Sequence, residues 1–259
     1  MSVLTSLSPT VPIAASSGYD GSVMVWNCSS SSTSSEKIVN RRKQLPPLTA
    51  FAPDQDSSIG MSGSNNGLVS LWDLQQGTCV KAALGKHGDQ IQHVINDFTS
   101  PEVFFTGGVD GKVGLWDTRG QLGSATGNEI GATESTSPFP SQNGRSGSAP
   151  ISGLQLIDEN HLLTSGGSTV ALLDIRMNMQ VIGQPMGGHQ KPIASLCTAA
   201  GNQISFSGSI DGMVIAHNLQ TMKPIYGMGA NKKSAGFLAT TDNRLIVTGD
   251  DGHALVYSF

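Results

Sequence analysis

Four segments of the chain can be laid over one another: AASSGYDGSVMVWN (14–27), GMSGSNNGLVSLWD (60–73), FFTGGVDGKVGLWD (104–117) and SFSGSIDGMVIAHN (205–218). Two degenerate copies, LLTSGGSTVALLD (162–174) and LIVTGDDGHALVYS (245–258), keep the same order of residue types. Each has a short apolar run, small residues, a tight turn and an alternating run. Asn-Gly or Asp-Gly between two such runs is the strongest short-range signal for a β-hairpin, because both turn residues tolerate positive φ. The anchors that end the second run are Trp26, Trp72, Trp116, Leu173, His217 and Tyr257, at intervals of 46, 44, 57, 44 and 40 residues. A period of that length means a supersecondary unit that cannot bury its own face and must stack on its neighbours.

Composition agrees with many short strands. Glycine contributes 32 of 259 residues, and charged residues are only 13%, about half the usual share. That argues against a charged, helix-rich or coiled-coil chain. The net charge of −4 offers no electrostatic footprint for duplex nucleic acid or an anionic membrane. No apolar run approaches the roughly 18 residues that a spanning helix needs, and the N-terminal stretch reads poorly as a signal peptide. Three cysteines, Cys28, Cys79 and Cys197, are an odd number without metal-ligand spacing. They point to a reducing compartment, so the expected location is intracellular, cytoplasmic or nuclear or both.

The long interval holds GQLGSATGNEIGATESTSPFPSQNGRSGS between residues 118 and 149. It reads as an extended, flexible loop, centred on 120–147, too polar to add a packed unit. The Ser/Thr run at 29–35 reads as a second, smaller loop.

These motifs resemble the WD-repeat (WD40) β-propeller family across essentially the whole chain. Trp72-Asp73 and Trp116-Asp117 match its closing dipeptide, Trp26-Asn27 and Leu173-Asp174 come near it, and Gly188-His189 supplies its Gly-His element. The resemblance implies an all-β fold, a β-propeller of four-stranded antiparallel blades, about six of them recognisable. The expected blades of this single domain are approximately 1–45, 46–85, 86–147, 148–187, 188–230 and 231–259. The last readable strand, Ala254–Phe259, is the third of its blade, and Ser2–Leu7 reads as the first strand of blade one. The expectation is therefore an incomplete seven-bladed ring, or one that a partner strand completes; the alternative is a six-bladed ring in which residues 1–7 pair beside residues 254–259.

The resemblance also implies a hydrogen-bonded chain inside each blade, complete in His87, Thr106, Asp110 and Trp116. In blade five, His189, Ser207 and Asp211 are kept while His217 stands in the Trp position; blade one keeps Ser16, Asp20 and Trp26, and blade two Ser62 and Trp72. A His-Asp-hydroxyl grouping can be read as a catalytic triad, but one that repeats inside blades is what buried polar groups need for satisfaction. The same resemblance places Tyr19, Asn65, Val109 and Ile210, each before a turn Asp or Asn, on an exposed rim. Trp116-Asp117-Thr118-Arg119 is similar to the box with which some WD-repeat proteins dock onto the adaptor of cullin-type ubiquitin ligases, with Arg119 as a bidentate donor; the alternative is a local pair between Arg119 and Asp117.

Other chemistry is thin. Gly107–Lys112 falls one residue short of a phosphate loop, and no GxSxG, HExxH or GxGxxG occurs. The six histidines lack metal-ligand spacing. Arg41-Arg42-Lys43 and Lys232-Lys233 read as solvated charges. The sequence therefore predicts no catalytic, cofactor or metal site, and a non-enzymatic scaffold that binds other proteins as a subunit or adaptor. A ubiquitin-ligase substrate receptor is the alternative. A propeller enzyme, supported only by His253 and Asp250-Asp251, comes third.

Overall fold

A computed structural model describes residues 2–4, 13–27, 34–38, 46–54, 58–84, 87–97, 99–119, 132–139, 148–199, 201–241 and 243–259. Its described elements are all strands, and every pairing between them whose register is given is antiparallel. They form six sheets in chain order. Sheet one holds β1 (Ser2–Leu4), β2 (Ile13–Ser17), β3 (Val23–Asn27) and β4 (Ser34–Ile38). Sheet two holds β5 (Leu48–Pro53), β6 (Ile59–Ser64), β7 (Leu68–Asp73) and β8 (Thr78–Leu84). Sheet three holds β9 (Ile91–Asn96), β10 (Val103–Gly108), β11 (Val113–Asp117) and β12 (Ala132–Thr136). Sheet four holds β13 (Ile151–Asp158), β14 (His161–Gly166), β15 (Thr169–Asp174) and β16 (Gln180–Met186). Sheet five holds β17 (Ile193–Thr198), β18 (Ile204–Ser209), β19 (Met213–Asn218) and β20 (Lys223–Gly229). Sheet six, among the described residues, has three strands: β21 (Phe237–Thr241), β22 (Arg244–Thr248) and β23 (Ala254–Ser258). This all-β series of four-stranded antiparallel sheets is that of propeller blades.

One expectation changes here. The stretch between 118 and 149 is not one uninterrupted loop, because Ala132–Thr136 supplies the fourth strand of sheet three. Phe139, from the same stretch, is 2% exposed. A Cβ on Gly166 would lie 2.4 Å from its ring, so one aromatic in a polar segment finds a place that only glycine leaves open. The described residues at the start of the chain, Ser2–Leu4, pair with Ala15–Ser17 inside sheet one, the first-strand position expected for them. Arg41, Arg42, Lys43 and Cys28 lie outside the described residues.

The chain forms two compact units, Met1–Ser135 and Thr136–Phe259. In the first, the sheets bury alternate faces of their strands. Ala15 and Val23 of sheet one meet Leu48, Phe51 and Trp72 of sheet two. The opposite face of sheet two, with Met61, Val69 and Leu71, meets Ile91, Val94, Phe104 and Trp116 of sheet three. In the second unit, Leu163, Val170 and Leu172 of sheet four meet Ile193 of sheet five. Phe206, Val214 and Ala216 of sheet five then meet Leu245 and Val247 of sheet six. Because successive side chains of a strand point to opposite faces, Val69 and Leu71 cover one side of sheet two and Trp72 the other, and this face-to-face burial is what stabilises the stack. Main-chain bonds tie sheet to sheet: Leu48 N–H donates to Gly18 C=O at 3.1 Å, Ile193 to Gly167 at 2.7 Å and Ala235 to Ser209 at 2.9 Å.

Candidate interaction site and the buried hydrogen-bond chains

In sheets one, two, three, five and six the turn between the second and third strands is built by one carboxylate or amide. Asp20 accepts the Ser22 N–H at 3.1 Å, Asn66 that of Leu68 at 3.3 Å, and Asp110 that of Lys112 at 3.1 Å. In the second unit Asp211 accepts from Met213 at 3.0 Å and Asp251 from His253 at 3.1 Å. A side chain that bonds the backbone two residues on mimics a backbone turn, which is why these positions are Asp or Asn. The residue just before is pinned by its own N–H: Asn65 donates to Pro47 C=O, Val109 to Gln90, and Ile210 to Pro192, at 2.8–3.0 Å. Asp250 occupies the same position in sheet six and donates its N–H to Ser234 C=O at 3.3 Å. In the first unit Tyr19 is 64% exposed, Asn65 is exposed and Val109 half-buried; in the second, Ile210 is 47% exposed.

Behind the turn of sheet three lies a continuous chain of bonds. Trp116 Nε1 donates to Thr106 Oγ1 at 2.8 Å, and His87 Nε2 lies 2.7 Å from that oxygen. His87 Nδ1 lies 3.0 Å from Asp110 Oδ1, and Gly88 N–H donates to Asp110 Oδ2 at 2.9 Å. A carboxylate only accepts, so Nδ1 carries the proton, and the Nε2 of a neutral ring accepts from the Thr106 hydroxyl. Gly114 keeps the space open, since a Cβ there would stand 2.9 Å from Thr106 Oγ1.

Sheet five is wired differently. Ser207 Oγ sits 2.7 Å from both His189 Nε2 and His217 Nε2. Asp211 is not part of this chain: its Oδ1 holds the turn, and among the described residues neither His189 Nδ1 nor His217 Nδ1, both buried, has a hydrogen-bond partner. Burial lowers the pKa of His217 to about 4, helped by His189. Burial also lowers that of His189, against the opposing charge of Asp211.

Sheet six substitutes an amide for the imidazole. Asn231 Nδ2 donates to Asp251 Oδ1 at 2.8 Å and Lys232 N–H to Oδ2 at 3.1 Å, matching His87 and Gly88 on Asp110. That bond from Asn231, with those from His253 and Lys232, draws the Asp251 carboxyl down to about 2. The only cue in the sequence was an Asn 20 residues before a turn Asp. Asp251 is thus fully engaged as a turn acceptor, and His253 Nδ1 stands 3.5 Å from it.

Strand ends carry a second set of side-chain turns. Asp73 accepts from Gln75 and Gln76 N–H, Asp117 from Arg119, Asp174 from Arg176, and Asn218 from Gln220 and Thr221, all at 2.8–3.0 Å. The Asp of the Trp-Asp dipeptide is therefore a turn-former. Arg119 folds back on it, with Nε 3.0 and 2.9 Å and a terminal nitrogen 2.7 Å from the Asp117 oxygens. This bond holds the Asp117 carboxyl below its usual range and raises the Arg119 guanidinium. Arg176 lies near Asp174 in the same sense, at 3.6 Å.

Among the described residues no group of three or more His, Cys, Asp or Glu is placed to hold a metal ion, and no helix is long and apolar enough to cross a membrane. A search of curated proteins finds no match to this chain. Residues 2–27, which span the first three strands of sheet one, match the family model described as WD domain, G-beta repeat, and so support the resemblance of the repeats to that family.

Proposed function

We propose that the chain is a non-catalytic scaffold, a subunit or adaptor whose turn-borne rim binds other proteins. Proteins built from WD repeats generally mediate protein–protein interaction. The observation that carries the reading is the contrast between the two sets of side chains. The polar side chains behind the turns each bond within their own sheet through at least one atom, as His87, Thr106, His189, Ser207, His217 and Asn231 do, whereas Tyr19 and Ile210 stand 64% and 47% exposed on turns held by backbone bonds. Rigid, exposed aromatic and aliphatic side chains are the anchors that contribute most to protein interfaces.

The test is affinity capture of the tagged full chain from cells, comparing wild type with the double variant Tyr19→Ser and Ile210→Ser by quantitative mass spectrometry. Loss of a defined set of proteins, with an unchanged melting curve, supports the rim as the binding surface. The same captured set from both chains would remove it.

A second reading, docking on a ubiquitin-ligase adaptor, is favoured only by the Arg119 side chain, which is 67% exposed. It requires a partner carboxylate to compete with Asp117 for the guanidinium. Arg119→Ala should then lose the adaptor from the captured set, and adaptor capture equal to wild type would dismiss this reading.

A further inference from the structure

We propose that Asn66 is a site of spontaneous deamidation, and that the fold of sheet two directs the product to Asp. This goes beyond the scaffold reading and does not depend on it. Sheets one, three, five and six build the same turn with Asp20, Asp110, Asp211 and Asp251, each followed by glycine. Sheet two, alone of these five, builds it with an amide, in Asn66-Gly67. Before glycine the main-chain nitrogen reaches the asparagine carboxamide with least obstruction, because the residue that carries the nitrogen has no side chain.

The turn supplies the parts of that reaction. Asn66 is exposed, so water and base reach it. The attacking nitrogen is that of Gly67, whose N–H donates to Ser64 C=O at 3.3 Å, against 3.0–3.2 Å for Gly21, Gly111, Gly212 and Gly252 in the equivalent turns. It is the least tightly held of the five. Asn66 Oδ1 accepts the Leu68 N–H at 3.3 Å and lies 2.7 Å from Ser64 Oγ, whose proton it shares with Leu68 C=O at 2.9 Å. Donors on that oxygen stabilise the charge that collects there when Cγ is attacked. The Gly67 nitrogen gives its proton to solvent base and bonds to Asn66 Cγ. The Cγ–Nδ2 bond breaks, Nδ2 leaves as ammonia with a proton from solvent, and a cyclic imide remains. Water adding at Cγ breaks the new Cγ–N bond, returns a proton to the Gly67 nitrogen and leaves Asp. Water adding at the main-chain carbonyl carbon leaves isoaspartate, whose main chain runs through Cγ and is longer by one methylene.

The fold distinguishes the two products. Asp keeps an acceptor for Ser64 and Leu68, and a bond to a charged acceptor is roughly twice as strong as a neutral one. Isoaspartate displaces Gly67, which has no room to move. Gly67 is buried at φ +79°, and a Cβ on it would stand 2.5 Å from the His87 carbonyl oxygen and 3.1 Å from that of Asp89. Because isoaspartate re-forms the imide, the ring opens repeatedly until the product that fits the turn accumulates. The result is one added negative charge beside Asn65, in an otherwise unchanged sheet.

The experiment incubates the full chain, folded and in guanidinium chloride, in mildly alkaline buffer made with heavy-oxygen water. Digestion at acid pH and electron-transfer fragmentation then read heavy oxygen at residue 66 and separate Asp from isoaspartate. The folded chain is expected to gain the label at residue 66 and to hold mostly Asp, with an acidic shift on isoelectric focusing. The unfolded sample is expected to hold mostly isoaspartate. Asn66→Asp is expected to fold with a melting midpoint no lower than that of wild type. Absence of acid at residue 66 in the folded chain would overturn the proposal. So would the same excess of isoaspartate in the folded chain as in denaturant, or an Asn66→Asp midpoint below that of wild type.

Discussion

At the scale of single residues, the side chains that look most like chemistry are the ones most deeply committed to structure. Thr106 is 0% exposed and stands between Trp116 Nε1 and His87 Nε2. Thr106→Val keeps the shape and removes the hydroxyl, orphaning both neighbours, at a cost of roughly 1–3 kcal/mol for each buried group left unpaired. Trp116→Ala should cost about 3–5 kcal/mol, since it deletes the largest buried ring of sheet three. Urea unfolding measures both, and a loss below about 1 kcal/mol for Trp116→Ala would contradict the role assigned to it. The buried histidines set a pH dependence. His217 titrates at about 4 in the folded chain against 6.5 as its ordinary value, and His189 is lowered too. Between those limits the unfolded chain binds more protons, so stability rises with pH across that window and is lost as pH falls from about 6.5 towards 4. Midpoints measured at pH 7 and pH 5 should differ in that direction, and His217→Gln should narrow the difference.

At the scale of elements, the hairpins are decided by backbone geometry at the turn. Gly212 has φ +82°, and a Cβ there would fall 1.9 Å from the Asn231 carbonyl oxygen. Gly201 has nearly the same φ, +81°, with nothing within 4 Å. Both pay the left-handed penalty of roughly 1–2 kcal/mol when changed to Ala, but only Gly212→Ala also drives the Asn231 lead-in away from its turn. Gly212→Ala is therefore expected to lower the thermal midpoint clearly more than Gly201→Ala, and equal shifts would show that the lead-in yields freely. The same turn chemistry explains the Trp-Asp-x-Arg stretch. Asp117 and Asp174 both cap the N–H two residues on, and Arg119 and Arg176 both fold back towards them. The exposed pair adds little to stability.

At the scale of the whole molecule, each compact unit carries a thiol that reports on it. Cys79 is in Met1–Ser135 and Cys197 in Thr136–Phe259. Both are free, and burial pushes them up to about 11 and about 12. Since the thiolate is the reacting species, neither should be alkylated at neutral pH until its unit opens. Pulsed labelling along a urea titration, read by mass spectrometry, should show each site reacting only through a cooperative transition. Labelling of either site in native buffer at the rate of an unfolded peptide would place that thiol in a locally open sheet.

The repeat, the hairpins and the all-β class were legible in the chain because they rest on local chemistry: alternation with a period of two, Asp or Asn before Gly, and anchors at a steady spacing. The polar constellation of sheet three was legible for the same reason, since its members fall at constant offsets within a unit. Tertiary structure decided the rest. Asp211 stands at the right offset yet leaves His189 alone, and Asn231 takes the place that His87 holds in sheet three, because these partners depend on where the lead-in to one sheet passes the turn behind it. Phe139 and Ala132–Thr136 sit in a segment whose composition reads as loop; they are ordered by a pocket over Gly166 and by an open strand edge beside β11, neither of which is local in sequence. The sharpest case is Val256, which continues the same alternation as Ala216. One is exposed and the other buried, because burial belongs to the neighbouring sheet and not to the strand.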